Sequence, residues 1–388
     1  MGRATVHDLT GSGHPVLLLE SDVAAAQRIA RRYGHGRARV AAADARDPAA
    51  LAAALRGAAL VVHCAPYTLN LTVMQAALRA RCHYLDLGGL FHTTRKQLPL
   101  DAEFRERRLL AVLGMGSAPG ICNVLARAAA EPLRRVRAIR VYNGGADHTR
   151  YAAPVAFGFA PATVLDEFTL RPMVFEQGRF RSTPPLSGGE DVLFEAGLQR
   201  VHRSLHSEVA TLPLSFRDKG IRECSFKIAY DPVLIERLKL LIALGLTDRK
   251  PGPRGVAPRD VLLDCFKRLP PPPAFVDDRD CLAVVAEGED GEGPVTRRYD
   301  LTAFPQRRPP LSAVARDTGF PPAIVAGMIL DGTIRERGVR PPERCVPVAP
   351  FLAALAERGM RARLSVSRVE AAAPPWPARS GSRSPARH

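Results

Sequence analysis

At 388 residues the chain is longer than a single hydrophobic core usually fills, so two domains are expected. With 46% hydrophobic and 24% charged residues it reads as an ordinary globular protein. No apolar run approaches the roughly 20 residues of a membrane helix, and the first residues lack the pattern of a secretory signal, so a cytoplasmic protein with no membrane partner is expected. The formal charge of +16 comes from scattered residues, Arg far outnumbering Lys, with no helix-turn-helix, zinc-finger or RNP-like motif beside them; no nucleic-acid partner is expected.

In chain order, the first hundred residues alternate short apolar strands with amphipathic helices. Val16 to Leu19 is a strand ending at Glu20-Ser-Asp22, and Val23 to Arg32 repeats apolar positions at helical spacing. Arg39 to Ala42 is the next strand, closed by Asp44, and Asp47-Pro48 starts the helix that runs to Leu55. Ala59 to Cys64 reads as a buried strand, Ala65-Pro-Tyr67 as its turn and Leu71 to Arg79 as a helix; Tyr84-Leu-Asp86 and Leu109 to Leu113 are further strands. Strands separated by helices of this length imply a Rossmann-like, doubly wound parallel sheet, whose ligands sit at the carboxyl ends of the strands. From about Arg135 the pattern changes to β-branched and aromatic stretches, Ala138 to Tyr142, Met173 to Phe175 and Ile221 to Ile228, with a hairpin turn at Gln177-Gly178, which predicts a mixed sheet of its own. Leu311 to Gly332 and Phe351 to Arg358 read as helices. The domains expected are therefore 1–125 (dinucleotide-binding), 126–310 (an inserted α+β substrate and dimerisation domain), 311–366 (a helical segment returning to the first domain) and 367–388 (a disordered basic tail).

A Rossmann domain opens with an apolar strand, then G-x-G-x-x-G, then a helix whose amino end faces the pyrophosphate. Gly2 stands where the third glycine belongs, because Arg3 to Leu9 reads as that first helix and Glu20 follows at about the spacing of the ribose acid. The first strand and most of the glycine loop are thus missing from the pattern. A start assigned too late is the favoured explanation over a real loss, since a parallel sheet without a central member leaves unpaired backbone groups.

The motifs Cys64-Ala-Pro-Tyr-Thr68, His83-Tyr-Leu-Asp-Leu-Gly-Gly89, Gly114-Met-Gly-Ser-Ala-Pro-Gly-Ile121 with Asn123, Asp166-Glu-Phe-Thr-Leu-Arg-Pro172, Gly220 to Lys227, Gly319 to Ala326 and Gly338 to Glu343 follow one another in order. Together they resemble the saccharopine dehydrogenase and lysine 6-dehydrogenase family, over nearly the whole chain to about Arg363. The resemblance implies an NAD(P)-binding Rossmann domain, an inserted substrate and dimerisation domain, a homodimer, and oxidation of a carbon–nitrogen bond on a lysine-like skeleton or the reverse condensation. Saccharopine-forming members have Asp in the Gly-x-Asp-Pro-Gly stretch where this chain has Ala118, a departure that looks more like lysine 6-dehydrogenase.

The nicotinamide cofactor is expected against Gly2, Arg3, Glu20, Asp22, Asp44, Ala65, Pro66, Gly114 and Gly116. An acid at Glu20 or Asp22 favours NAD over NADP by repelling a 2′-phosphate, and Arg28 and Arg31 read as a solvated helix face. Gly114, Gly116 and Gly120 suit close backbone approach. Tyr67 and Asp86, on turns after strands, are the catalytic candidates; against them stand a packing aromatic and a turn or cap acid. Asn123 and Arg171 are candidates for binding the substrate, Arg171 through a carboxylate. Of the seven cysteines, which include no C-x-x-C, most are expected to be buried, reduced thiols, and His202 and His206, one helical turn apart without a third ligand, do not make a metal site; none is expected. Two other readings stay open: a cofactor-free relative kept as a binding or regulatory protein, and a carboxynorspermidine synthase-like reductive condensation.

Overall fold

A computed structural model describes residues 1–252 and 255–368. The first part runs α1 (Gly2–Gly11), β1 (Val16–Glu20), α2 (Val23–Tyr33), β2 (Ala38–Ala42), α3 (Pro48–Ala54), β3 (Leu60–His63), α4 (Asn70–Ala80), β4 (His83–Asp86), α5 (Leu90–Gln97), α6 (Asp101–Glu106), β5 (Leu110–Val112) and α7 (Ile121–Ala130). Local chemistry sets these boundaries. Asp22 caps α2 by accepting the Ala25 amide, and Asp47 caps α3 with Pro48 at its first turn, where a missing N–H costs nothing.

All strand pairs here are parallel, but the sheet is in two pieces: β1–β2, and β3–β4–β5 followed by a later strand. Among the described residues no strand pairs with the remaining edge of β1 or of β3. That accounts for one difference from the sequence reading: Leu60, Val61 and Val62 of β3 are only half buried, while the flanked strand β5 is fully buried.

The second part contains β6 (Arg135–Asp147), α8 (Pro161–Thr169), β7 (Met173–Glu176), β8 (Arg179–Ser182), β9 (Glu190–Phe194), β10 (Gly197–Arg203), α9 (Glu208–Ser215), β11 (Glu223–Ala229), α10 (Pro232–Ala243), α11 (Pro258–Lys267), β12 (Asp278–Asp290) and β13 (Gly293–Ala303). The chain continues through α12 (Ala313–Leu330), β14 (Gly338–Arg340), α13 (Pro342–Cys345), α14 (Val348–Glu357) and β15 (Ala362–Arg368). The second sheet has the order β15-β13-β12-β6-β11-β10-β9, with the β7–β8 hairpin attached to β11; β6–β11 is its parallel pair. Gln177 and Gly178, both at positive φ, make the tight β7–β8 turn.

The last segment returns to the first sheet through β14, which pairs with β5, but it then adds β15 to β13 of the second sheet. Both strands are absent from the helical reading of 311–366, and the tail expected at 367–388 lies, apart from Ser367 and Arg368 of β15, outside the described residues. One apolar core joins the layers: Leu110, Val112, Ile121 and Leu125 pack in the same cluster as Ile139, Phe226, Leu282, Phe320 and Phe351. Each fully buried Val, Leu or Ile there contributes about 1.5–3 kcal/mol, so α7 is held firmly against both sheets. On the other face of the second sheet, Arg137 and Arg140 pair with Glu223 and Glu287. Among the described residues no helix is long and apolar enough to cross a membrane.

Candidate active site

The turns after β4 and β5 converge on Pro119. A Cβ on Gly88 (φ +123°) or on Gly114 (φ +72°) would lie 2.7 Å from the Pro119 ring, so both turns close only because these residues are glycine. Within the last turn the Gly116 amide donates to the Pro119 carbonyl at 2.7 Å and the Ile121 amide to that of Gly116 at 2.9 Å. Residues 114–120 therefore form a rigid loop leading into α7.

Asp86 holds these turns together. Its buried carboxylate accepts from Asn70 Nδ2 (3.1 Å), the Tyr84 hydroxyl (2.8 Å), Gln97 Nε2 (2.7 Å) and the amides of Gly88 (2.9 Å) and Gly114 (2.7 Å). With five donors its lone pairs are committed, a geometry that suits a turn-fixing acid rather than a base in contact with substrate. Tyr67 is half buried and its hydroxyl donates to Asp166 Oδ2 at 2.7 Å, and Asp166 is also paired with Arg259 (2.6 Å) and Arg249. Burial and the Asp166 carboxylate push the Tyr67 phenol far up, so it remains protonated. It ties the β3 turn to α8 of the second part.

The cofactor candidates lie along the strand ends. Gly2 and the exposed Arg3 open α1, and Ala65 and Pro66 are exposed after β3. Glu20 is exposed at the end of β1, its Oε1 held by the Ser21 amide (2.8 Å) and hydroxyl (3.1 Å), which leaves Oε2 for another donor. Asp22 is committed to its cap. Asp44, at the end of β2, is clasped by Arg46, whose hydrogen bonds hold the carboxyl below its ordinary value. Arg28 and Arg31 are exposed on α2. The two substrate candidates do not come together: Asn123 is buried, capping Gly120 (3.0 Å) and donating to Glu343 (2.8 Å), while the exposed Arg171 donates to Ser182 of β8 at 3.0 Å. Asn123 is a structural cap because both ends of its amide are already used.

His202 meets the Leu186 carbonyl at 3.0 Å, whereas His206 lies 2.5 Å from Glu208 and stacks on Phe226. Burial opposes charge on His206, but Glu208 outweighs it and raises its affinity for a proton. No three His, Cys, Asp or Glu side chains converge in a metal-binding group among the described residues.

A second constellation escaped the sequence reading. Ser117 Oγ, in the 114–120 loop, lies 3.1 Å from Asp317 Oδ2 of α12 and 3.4 Å from Asp280 Oδ2 of β12, and Asn143 Nδ2 of β6 donates to Asp280 Oδ1 at 2.9 Å. Asp317 is fully buried, and burial together with the neighbouring Asp280 raises its pKa well above the ordinary carboxyl value. One hydroxyl proton serves one acceptor at a time, so the carboxyl pair needs a proton of its own. The signal was an acid set inside an apolar helix, Ala315-Arg-Asp-Thr-Gly-Phe320, which is costly unless it has a task.

The sequence matches the profile of the saccharopine dehydrogenase NADP-binding domain over residues 1–112 and that of the saccharopine dehydrogenase C-terminal domain over residues 116–360. Among solved structures it is similar to the apo histidine-tagged saccharopine dehydrogenase (L-Glu forming) from Saccharomyces cerevisiae, with TM-score 0.71 and 15% identity, covering 95% of this chain and 98% of that one, a likeness of fold. Weaker likenesses are GenD2 from gentamicin A biosynthesis in complex with NAD (TM-score 0.37, 13% identity, 94% and 93% covered) and the amine dehydrogenase from Mycobacterium smegmatis (TM-score 0.39, 10% identity, 89% and 94% covered). With both domain profiles matched in order across most of its length, the chain belongs to the saccharopine dehydrogenase family of oxidoreductases and carries that family's NADP-binding domain.

Proposed function

We propose that the protein oxidises a carbon–nitrogen bond of lysine, saccharopine or a related amino acid through an imine, or runs the reverse condensation, as a homodimer using NAD or NADP. The residues suit a dinucleotide: the amino end of α1 at Gly2 and Arg3 favours anions, and the free oxygen of Glu20 suits a ribose diol. An acid there favours NAD. The bound nicotinamide supplies the hydride acceptor.

The observation that carries the reading is the proton-holding pair Asp280–Asp317 on Ser117 of the 114–120 loop. Loss of hydride from carbon and of a proton from nitrogen leaves an imine, to which water adds before the C–N bond breaks. In this scheme the partly exposed Asp280, oriented by Asn143, takes the proton, while the buried Asp317 and the Ser117 hydroxyl share it.

The test titrates the protein with NADH and with NADPH by fluorescence, then follows reduction of the oxidised cofactor with lysine and saccharopine. Asp280→Asn is expected to bind cofactor like the parent and to lose roughly a hundredfold or more in kcat. Failure of both reduced cofactors to bind overturns the oxidoreductase reading in favour of a cofactor-free relative. Full turnover in Asp280→Asn removes the carboxyl pair from the chemistry.

A further inference from the structure

We propose a binding site for a compact oxyanion, phosphate-like in charge and size, in a cavity of about 370 Å³ between the β14 edge of the first sheet and α9. Three guanidinium groups line it, Arg105, Arg340 and Arg344, beside Thr211 and Ser215. Asp101 pairs with Arg105 (2.9 Å) and Arg340 (2.7 Å), one carboxylate against two cations. Arg344 is exposed, its polar contact a long one to the Ser215 carbonyl (3.4 Å), and it has no ion pair among the described residues. Glu343, the other nearby acid, is buried, and burial raises its affinity for a proton. The cavity therefore carries uncompensated positive charge on forked donors that match an oxyanion.

The Thr211 hydroxyl gives a second, independent reason. It is 4% exposed, lines the cavity and makes no hydrogen bond of ordinary geometry, although it lies near enough to Glu343 to favour its ionised form slightly. An anion that draws the Thr211 side chain toward the cavity would satisfy it. The site is also wired to the 114–120 loop: Ser215 Oγ donates to Glu343 (2.8 Å), Glu343 accepts from Asn123 (2.8 Å), and Asn123 accepts from the Gly120 amide (3.0 Å). Occupancy of the cavity can thus be felt at residues 114–120, which gives the anion the character of an effector.

The experiment is a calorimetric titration of the full chain with inorganic phosphate, against chloride of equal ionic strength, with and without saturating NADH. Saturable binding is expected in both conditions, because none of the residues that line the cavity is among those expected against the cofactor. Arg344→Glu should weaken it roughly tenfold or more and Thr211→Val by a smaller factor, while both variants keep the parent's melting temperature without phosphate and its NADH affinity. Absence of saturable binding, displacement of phosphate by NADH, or equal affinity in the parent and both variants overturns the proposal and leaves the oxidoreductase reading untouched. If Arg344→Glu fails to fold, Thr211→Val and the NADH competition decide.

Discussion

Asp86 and Asp317 are both buried carboxylates beside the same glycine turns, yet their surroundings fit them to opposite tasks. Five donors surround Asp86, so its carboxyl oxygens are fully engaged and fixed in place. Asp317 has the Ser117 hydroxyl and Thr318 as its partners and another acid against it, so its charge is poorly solvated and a proton is retained. Replacing Asp86 by Ala leaves the Tyr84 hydroxyl and the Gly88 and Gly114 amides without an acceptor in the interior, while Asn70 keeps the Gly88 carbonyl, and this is expected to cost on the order of 3 kcal/mol or more. Urea unfolding would show this as a lower midpoint at unchanged slope. A variant that unfolds like the parent yet has lost turnover would restore Asp86 as a base. Position after a strand identified Asp86 from the sequence, but its role depends on Asn70, Gln97 and Gly114, whose approach no local spacing reveals.

Local rules governed the elements, which is why many were legible. The caps Asp22 and Asp47, the Gln177-Gly178 turn and the apolar spacing of α12 act within a few residues of one another. The Ser117–Asp317 contact joins residues 200 apart, and Asn143 and Asp280 reach it from two further strands, so the carboxyl pair stayed hidden. Helix α12 also draws on a distant residue at its amino end. Ser312 caps it locally, while Asp278 of β12 accepts from the Ala313 (2.6 Å) and Val314 (3.2 Å) amides. The helix dipole favours a carboxylate there, but burial dominates and lifts the Asp278 pKa to about 6. Because this value is raised above that of an unfolded chain, the stability it contributes is complete below about pH 4 and is lost as pH rises through about 6. Relative to Asp278→Asn, which does not titrate, the parent should lose about 2 kcal/mol of stability between pH 4 and pH 7. Denaturant unfolding of the pair at both pH values checks this, and a constant difference between them sinks it.

The molecule as a whole unites a main core cluster that spans both sheets with a first sheet in two pieces. The alternation of strands and helices made a doubly wound sheet legible, and the change of pattern near Arg135 marked the second sheet, but the closing strand β15 was not legible because its side chains are mostly exposed and lack a buried face. The division of the first sheet has a consequence for local stability. Strands β4 and β5 are flanked on both edges and packed into the core, whereas β1 and β2 form a two-stranded ribbon with half-buried and exposed side chains. An isolated pair of strands is marginal on its own, so the ribbon is expected to open without unfolding the rest. In hydrogen exchange, the amides bonded between residues 16–20 and 38–42 should exchange at least roughly tenfold faster than those of residues 83–86 and 110–112. Since Glu20 ends β1 at the proposed ribose site, NADH should slow exchange in the ribbon more than in β4 and β5, by mass action on the closed form. Equal protection of the two pieces without ligand would mean that the helices weld them into one cooperative unit, and the idea of an independently opening ribbon would fail.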